Sequence, residues 1–412
     1  WQLDSCIGYA LEHNLDIRRQ AIEISDRKAQ LARSTLGMLP SFNAHAVRDY
    51  NWGRSVDMQE LTITREGLAT ATALSIEGSW TLFGGLSAQN GRLAARETVR
   101  EALSEERHIK RALVIDITRS YLNLMLARQM LSYAQASRST IDRQCERTRS
   151  LVEAGSQPKS ALSEMEAQVA SERARVVEAA CNVRSATLNL MQLMNYPPGD
   201  ADLVVAESFD DREAPSARDS LDDLQIESMA GRDPRIEAAR SRVSQMKHQL
   251  DAEKGNALPR LAVTASYGTF TSSTSDEQPR KQLESNRNPS VSLSLTVPIF
   301  NFGETAIRIR RSRLALQKAV IAREQAQIQV SDEIRAAVIE ADNCAQKYIS
   351  AVETLKAAGS ALEVTEAKYN LGASTALDYI VSRNNHFKAM SDLLQAKWQY
   401  MFQLKMLDYY MQ

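Results

Sequence analysis

The chain has 412 residues, of which 43% are hydrophobic and only 6% aromatic. Its 50 basic and 51 acidic residues leave a net charge of -1, so the charge balance does not indicate nucleic acid or another polyanion as a partner. Glycine and proline are scarce, and the charges are scattered through stretches rich in Ala, Leu, Gln and Arg. This composition is typical of long helices.

In chain order, the sequence repeats at a spacing of roughly 217 to 219 residues, which predicts two copies of one unit, 1–218 and 219–412. Each copy is predicted as a helix, a β-hairpin, a very long helix, a glycine turn and a returning helix. The first copy has its hairpin at 41–83, its long helix at 86–154 and its return helix at 159–195, followed by a linking region at 196–232. The second copy has a helix at 234–256, a hairpin at 260–300, a long helix at 304–371 and a return helix at 374–411.

The long helices are predicted from uninterrupted stretches with heptad spacing. After Gly91 no glycine or proline occurs before Gly155, so about 65 residues form one helix of about 100 Å. Apolar side chains within it step by three and four residues, which favours packing along partner helices. Gly155 and Gly372 follow the two long helices where a left-handed residue is needed for the chain to turn back.

Alternating segments precede the long helices and predict strands. In each segment, apolar side chains alternate with small or polar ones, the first set being Leu74, Ile76 and Trp80 and the second Leu293, Leu295 and Val297. Strands of about 9 to 11 residues with this pattern suit a membrane β-barrel, although a soluble sandwich gives the same alternation. Four strands are too few to close a barrel, since about eight are needed. A barrel therefore requires several chains, and three chains supply twelve strands.

Catalysis is not indicated by the remaining residues. The four cysteines stand alone, and the five histidines form neither a metal-ligand spacing nor a nucleophile motif. We therefore predict no enzyme activity, metal or cofactor. No apolar run approaches the roughly 18 residues of a membrane helix. The N-terminal residues do not form a signal peptide, which we expect to be cleaved or not included.

The motifs, taken together, resemble a known family. They are Leu-Pro before each first strand, Leu82-Phe83-Gly84-Gly85 and Val297-Pro298-Ile299-Phe300-Asn301 where strand becomes helix, and the tips Gly155 to Gln168 and Tyr369 to Asp378. The motifs occur in the same order in both copies. Together they resemble those of the TolC-type outer-membrane efflux proteins, and the resemblance covers the whole chain. The resemblance implies an α+β membrane protein of long coiled-coil hairpins, forming a periplasmic α-barrel below a trimeric 12-stranded transmembrane β-barrel. The segment 197–232 is then expected in an equatorial collar.

The resemblance also implies function and partners. A homotrimer in the outer membrane of a Gram-negative bacterium, reaching into the periplasm, passively conducts substrates of a tripartite efflux or type I secretion system. Its partners are a periplasmic adaptor, an inner-membrane transporter and outer-membrane lipid. A soluble coiled-coil scaffold that binds partner helices is the alternative, although it needs a second apolar layer over the strands.

Site residues follow from the same resemblance. The adaptor-docking tips are expected at Gly155, Gly372, Ala373 and Ser374. A periplasmic gate is expected at Asp378, as a ring of three carboxylates, with Tyr369 as a hydrogen-bonded latch and Glu164 as its substitute partner. The chain departs from the family pattern at Ala161, Val381 and Ser374, where family members often carry Asp, an acidic residue and Arg. The lipid-facing side chains are the six apolar strand residues named above.

Overall fold

The computed structural model describes residues 1–53, 55–56, 63–64, 68–197, 223–275 and 277–411. The expected collar segment falls largely outside these residues, because 198–222 are not among them. The first half contains the following elements: α1 (Leu3–His13), α2 (Leu15–Leu36), β1 (Ser41–Trp52), β2 (Ser55–Val56), β3 (Ile63–Thr64), β4 (Leu68–Gly84), α3 (Ser87–Glu153) and α4 (Lys159–Met194).

The second half repeats this order. Its elements are α5 (Asp223–Gly231), α6 (Pro234–Gly255), β5 (Arg260–Ser272), α7 (Pro279–Ser285), β6 (Asn288–Thr296), α8 (Glu304–Asn370) and α9 (Ala376–Met411). The two long helices, α3 and α8, both have 67 residues, and the two return helices, α4 and α9, both have 36. In the described part of the chain, no helix combines the length and apolar content needed to cross a membrane.

Four long strands form one antiparallel sheet in the order β1-β4-β5-β6. The register pairs Trp80 with Val263 and Val263 with Leu293, so these three side chains share a face. Leu74, Ile76 and Leu295 lie on that face by the same alternation. The other face is mostly polar and small. β2 and β3 pair separately as a two-stranded ribbon.

Strand lengths differ from the expected 9 to 11 residues. β4 has 17 residues, β5 has 13 and β1 has 12. The second hairpin is shorter than predicted, because β6 ends at Thr296. Val297 and Ile299 are therefore not strand residues, and that part of the prediction was wrong. The last paired residue is Thr296 with Arg260, the first residue of β5, and Pro298 has no N–H to extend a ladder.

The chain divides into two compact units, and each unit draws on both sequence copies. One unit is Trp1–Ile22, Ser104–Glu237 and Gln325–Gln412. Its largest cluster of buried apolar side chains includes Ile117, Tyr121 and Leu124 on α3, which are spaced by four and three residues as the sequence predicts for this helix. The other unit is Glu23–Leu103 and Ala238–Glu324, and it contains the four-stranded sheet.

In the sheet-containing unit, each strand enters its long helix through two consecutive left-handed residues. These are Gly85 and Leu86 before α3, and Phe302 and Gly303 before α8, with φ between 52° and 78°. At the first junction the backbone lies directly against the end of α6. A Cβ added to Gly85 would come within 2.0 Å of the carbonyl oxygen of Gly255, so only glycine fits there.

Candidate functional site

The hairpin tips have the geometry of helix-ending turns. At the first tip, the Ser156 N–H donates to the Leu151 carbonyl at 2.8 Å and the Gly155 N–H to Val152 at 3.0 Å. At the second, Ala373 donates to Lys368 at 2.8 Å and Gly372 to Tyr369 at 3.0 Å. These pairs are Schellman motifs, and both glycines have the positive φ they require, +73° and +75°.

Both tips present bare backbone. Nothing lies within 4 Å of a Cβ added to Gly155 or Gly372. Gly155, Gly372 and Ala373 are exposed, and Ser374 is half-buried. Both tips thus have the accessibility that the predicted docking role requires, and the role itself stays a prediction.

Asp378 forms a capping box with Thr375. The Thr375 hydroxyl donates to the Asp378 carboxylate at 2.7 Å, and the Asp378 N–H donates to the Thr375 oxygen at 3.1 Å. The Thr375 N–H and the Ser374 hydroxyl also donate to the carboxylate. The Thr375 hydroxyl, more than any other group, lowers the pKa of Asp378 below its usual range. Asp378 is exposed and negatively charged, and its gate role stays a prediction.

Tyr369 is buried and tied to the opposite helix of its own chain. Its hydroxyl is 3.0 Å from the Thr148 Oγ1 and donates to the Gln157 Oε1 at 3.5 Å. Its ring stacks on Tyr379 with centroids 5.3 Å apart. Within one chain its partners are therefore Thr148 and Gln157, and Glu164, the suggested substitute partner, lies exposed on α4. Burial raises the pKa of Tyr379.

A buried polar cluster, which the sequence analysis did not predict, lies further from the tips, between α3, α4 and α9. Glu172 is only 1% exposed. It forms an ion pair with Arg175 at 2.8 Å and accepts hydrogen bonds from Ser137 at 3.1 Å and Gln168 at 3.0 Å. Arg383 on α9 donates to both oxygens of Ser137 at 2.7 and 3.1 Å.

This cluster had a signal in the sequence. Ala161, Met165, Gln168 and Val169 are buried on one stripe of α4, and Glu172 continues that stripe. An acid in a buried stripe requires a cation or hydrogen-bond donors beside it, and Arg175, three residues further along the helix, is the nearest cation in the sequence.

A second polar contact links α3 and α9. His386 contacts the Tyr133 hydroxyl through Nδ1 at 3.0 Å, and burial lowers the pKa of the imidazole.

The apolar face of the sheet has the dimensions of a lipid-facing band. Phe42 and Trp52 lie on this face at the two ends of β1, 74% and 78% exposed. They are ten residues apart, which is about 34 Å along a strand and about 26 Å at a barrel tilt of ~40°. Leu74 and Ile76 are exposed between them, and Trp80, Leu293 and Leu295 are exposed beyond Phe42, on the side where β1 begins. Val297 is also exposed, beyond the end of β6.

Metal binding finds no support among the described residues, where no cluster of three or more His, Cys, Asp or Glu occurs. Cys6, Cys145 and Cys344 are buried and reduced, and Cys181 is exposed. Burial raises the pKa of the Cys6 thiol to about 11, so this thiol is unreactive at neutral pH.

Comparison with known proteins matches the chain to the family described as outer membrane efflux protein, over residues 6–196 and 226–409. The chain belongs to this family. The family comprises channel proteins, not enzymes, and its members lie in the outer membrane, as this chain does. The two matched stretches leave out 197–225, which contains 198–222, the longest segment outside the described residues.

Two curated relatives and one solved structure illustrate the similarity. The alkaline protease secretion protein AprF of Pseudomonas aeruginosa is 23% identical over 320 residues, which is 76% of this chain and 65% of AprF. TolC of Escherichia coli is 23% identical over 299 residues, 71% of this chain and 59% of TolC. The chain thus matches less than two thirds of these relatives. The Campylobacter jejuni CmeC channel has the same fold, with a TM-score of 0.85 at 16% identity, covering 99% of this chain and 85% of CmeC.

The resemblance to TolC-type proteins is confirmed by these findings, and so is the predicted fold class. The combination of a four-stranded sheet and two 67-residue helices in one chain is the fold of this family. The trimer, the docking tips, the gate and the lipid contacts of individual side chains are not tested by them.

Proposed function

We propose that the protein is the exit duct of a tripartite efflux or type I secretion system. Three copies pool their strands into one 12-stranded β-barrel in the outer membrane, and their long helices line a periplasmic tunnel. Substrates pass through by diffusion, delivered by an inner-membrane transporter and a periplasmic adaptor. The protein performs no chemistry on them.

The four-stranded sheet is the observation that carries this proposal. In the described part of the chain, the outer edges of β1 and β6 pair with no further strand. Unpaired edges and an exposed apolar face cannot both be left in water or lipid at low cost. Pairing β6 of one copy with β1 of the next removes every edge, and lipid covers the apolar face.

The first experiment tests assembly and conduction. Light scattering in detergent should give a trimer, and planar bilayers should record one conductance per trimer. Leu74→Arg should destabilise the inserted trimer by about 2 to 4 kcal/mol, because Leu74 pairs with Ala46 near the middle of the span from Phe42 to Trp52 and the charge meets lipid near mid-bilayer. Ser75→Arg, on the opposite face, should be tolerated. A monomer in detergent, or a monodisperse protein in buffer without detergent, contradicts the proposal and favours the soluble scaffold.

The second experiment tests the tips. If Gly155, Gly372, Ala373 and Ser374 form the docking surface, Ala373→Trp should abolish export while trimer mass and conductance are unchanged. Thr354→Trp, an exposed change on the body of α8, serves as the control for added bulk. Normal export by the Ala373 variant removes the docking role.

The third experiment tests Asp378 as a gate. Three carboxylates around one axis attract cations and permit block by divalent ions. Asp378→Asn keeps an acceptor for Thr375 but removes the charge, so conductance and divalent block should change while helix capping is largely kept. Unchanged conductance and block would reduce Asp378 to a capping residue.

A further inference from the structure

The apolar face of the four-stranded sheet carries one charged side chain. This face consists of the even-numbered residues of β1 and β4 and the odd-numbered residues of β5 and β6. Among these strand residues, all of which the structure describes, Arg48 alone is charged, and it is exposed. In the proposed barrel this face meets lipid, where an arginine without an anionic partner is costly.

The strands do not supply an anion for Arg48. In the described part of the chain its guanidinium forms no ion pair. The acidic residues of β1 and β4, Asp49 and Glu77, lie on the opposite face of the sheet. β6, which lies beside β1 of another copy in the proposed barrel, has no acidic residue. The partner of Arg48 is therefore not a strand residue.

The guanidinium of Arg48 points away from the helices. Its Cζ lies 5.4 Å from the centroid of the Tyr50 ring, and Tyr50 stacks on Trp52 with centroids 6.4 Å apart. Both rings are nearer the hairpin end of the sheet, so Arg48 extends toward that end as snorkelling arginines do. Arg48 is six residues from Phe42, which is about 16 Å of height at a barrel tilt of ~40°. The guanidinium thus lies in the outer half of the band, where lipid phosphates are within reach.

Hydroxyl groups lie beside Arg48 on the same face. The register pairs Arg48 with Thr72, and Thr72 with Thr271. Both threonines are half-buried, and no described residue forms a hydrogen bond with either hydroxyl. The three side chains form a row across three strands, about 10 Å wide at ~4.8 Å per strand spacing. This row is wider than one phosphate group and suits a phosphorylated sugar.

The short helix α7 fixes the end of this row. β6 begins at Asn288, opposite Gly268, so Thr271 has no neighbour on β6. A side-chain amide of α7 closes the edge of β5 instead. Gln282 accepts from the Ser272 N–H at 2.7 Å and donates to the Ser272 carbonyl at 3.1 Å. Gln282 is 2% exposed, so the backbone beside Thr271 is fixed before any ligand binds.

We propose that Arg48, Thr72 and Thr271 bind the phosphorylated sugar headgroup of a glycolipid in the extracellular leaflet. The Arg48 guanidinium donates to the phosphate oxygens, and the two hydroxyls form hydrogen bonds with the phosphate and the sugar. A glycolipid is the occupant because the site faces lipid, lies in the outer half of the band and combines one cation with hydroxyls over two strand spacings. The inference rests on the proposed barrel, which turns this face toward lipid.

Native mass spectrometry of the full chain, purified as a trimer in detergent, tests the site. The probes are lipid A, a phosphorylated glycolipid, and phosphatidylglycerol, an anionic phospholipid without a sugar ring. Arg48→Gln should weaken the binding of lipid A about tenfold, because a charge-assisted hydrogen bond is lost. The matched control is Arg260→Gln, an exposed arginine on the opposite face of the sheet, which should bind lipid A as the wild type does.

Two further measurements separate the charge from the hydroxyls. Removing the phosphates of lipid A should lower the affinity of the wild type to that of Arg48→Gln and leave the affinity of that variant unchanged. Thr72→Val with Thr271→Val should weaken the binding of lipid A more than that of phosphatidylglycerol. Arg48→Lys, which keeps the charge, should lose less affinity than Arg48→Gln and shows that the loss is not caused by misfolding.

The outcomes separate this inference from the proposed function. Binding of lipid A that is unchanged by Arg48→Gln or by removal of the phosphates overturns the site. Equal affinity of the wild type for phosphatidylglycerol overturns the glycolipid as its occupant. In both cases a conducting trimer leaves the exit-duct function intact. A protein that is monomeric by light scattering overturns the exit duct and this site with it.

Discussion

The two hairpin tips make the same turn but re-enter their return helices differently. The second tip caps α9 with Thr375 and Asp378, whereas α4 begins after Pro158 with no side-chain cap. Ala161, at the position equivalent to Asp378, is buried. The first tip forms without a carboxylate, so the turn itself depends on the glycine backbone. The glycine turn of the second tip therefore does not need a charge at Asp378, whose carboxylate caps α9 instead.

The difference continues along the return helices. Glu172 on α4 corresponds to Ala389 on α9, and both are buried. Likewise Tyr369 before the second tip corresponds to Val152 before the first, which is only half-buried. The two sequence copies thus have the same backbone structure at the tips and return helices, but they differ in their buried polar contacts. Substitutions at Glu172, Thr148 and Thr375 measure the stability that the unequal contacts provide, and substitutions at the two glycines test whether the turns are equivalent.

Removing Glu172 should have the largest effect. Glu172→Ala removes the carboxylate that accepts from Gln168 and the Ser137 hydroxyl, and it leaves Arg175 with only the Asn384 oxygen at 3.2 Å. The cost should be about 2 to 3 kcal/mol, below the value for a fully buried pair because Arg175 is partly exposed. Guanidinium unfolding of the detergent-solubilised protein, followed by circular dichroism, measures it. Glu172→Gln, which keeps one acceptor, should lose less; equal losses would contradict a role for the acceptor.

Removing the Thr148 hydroxyl should come next. Thr148→Val keeps the shape of the side chain but leaves the buried Tyr369 hydroxyl with only the 3.5 Å contact to Gln157, at about 1 to 3 kcal/mol. Tyr369→Phe in the Thr148→Val background should recover part of the loss, since both partners are then apolar. Strictly additive losses would show that the two hydroxyls do not interact.

The two glycine turns should respond alike. Gly155→Ala and Gly372→Ala meet no neighbouring atom, so the cost comes from the left-handed backbone alone and should be about 1 to 2 kcal/mol at each tip. Gly→Asn at the same positions should cost less, because Asn tolerates this conformation. A much larger loss at one tip would mean that the tips are not the same turn.

The smallest effect should come from the cap. Thr375→Ala should cost about 1 kcal/mol at neutral pH, while Pro158→Ala, which removes no side-chain cap, should cost less. The pKa of Asp378 is lowered in the folded protein, so its contribution is present above the ordinary carboxyl pKa of about 4 and is lost as the pH falls through the lowered value. The difference between wild type and Thr375→Ala should therefore shrink in acid. A constant difference down to pH 2 would contradict the carboxylate's part.

Most of the fold could be predicted from the sequence because breakers mark its boundaries. The long helix predicted at 86–154 is observed as Ser87–Glu153, and the second, at 304–371, as Glu304–Asn370. Tertiary contacts could not be predicted in this way. The partners of Tyr369 come from α3 and the first tip, over 200 positions away, and no local pattern points to Thr148. The prediction of Val297 as a strand residue was wrong for another reason. The alternation of apolar and polar residues continues past Thr296, but the hydrogen-bonded pairing of β5 with β6 ends there.

The height of the exposed apolar face has a consequence for hydrophobic mismatch. A band of about 26 Å between Phe42 and Trp52 is shorter than the ~30 Å core of a typical bilayer and closer to the thinner bacterial outer membrane. The Trp80 indole N–H donates to the Met38 carbonyl at 3.0 Å, which fixes this ring at the helix-proximal edge of the sheet. Reconstitution should therefore be more efficient in short-chain than in long-chain lipids, and thick bilayers should have to thin around the protein.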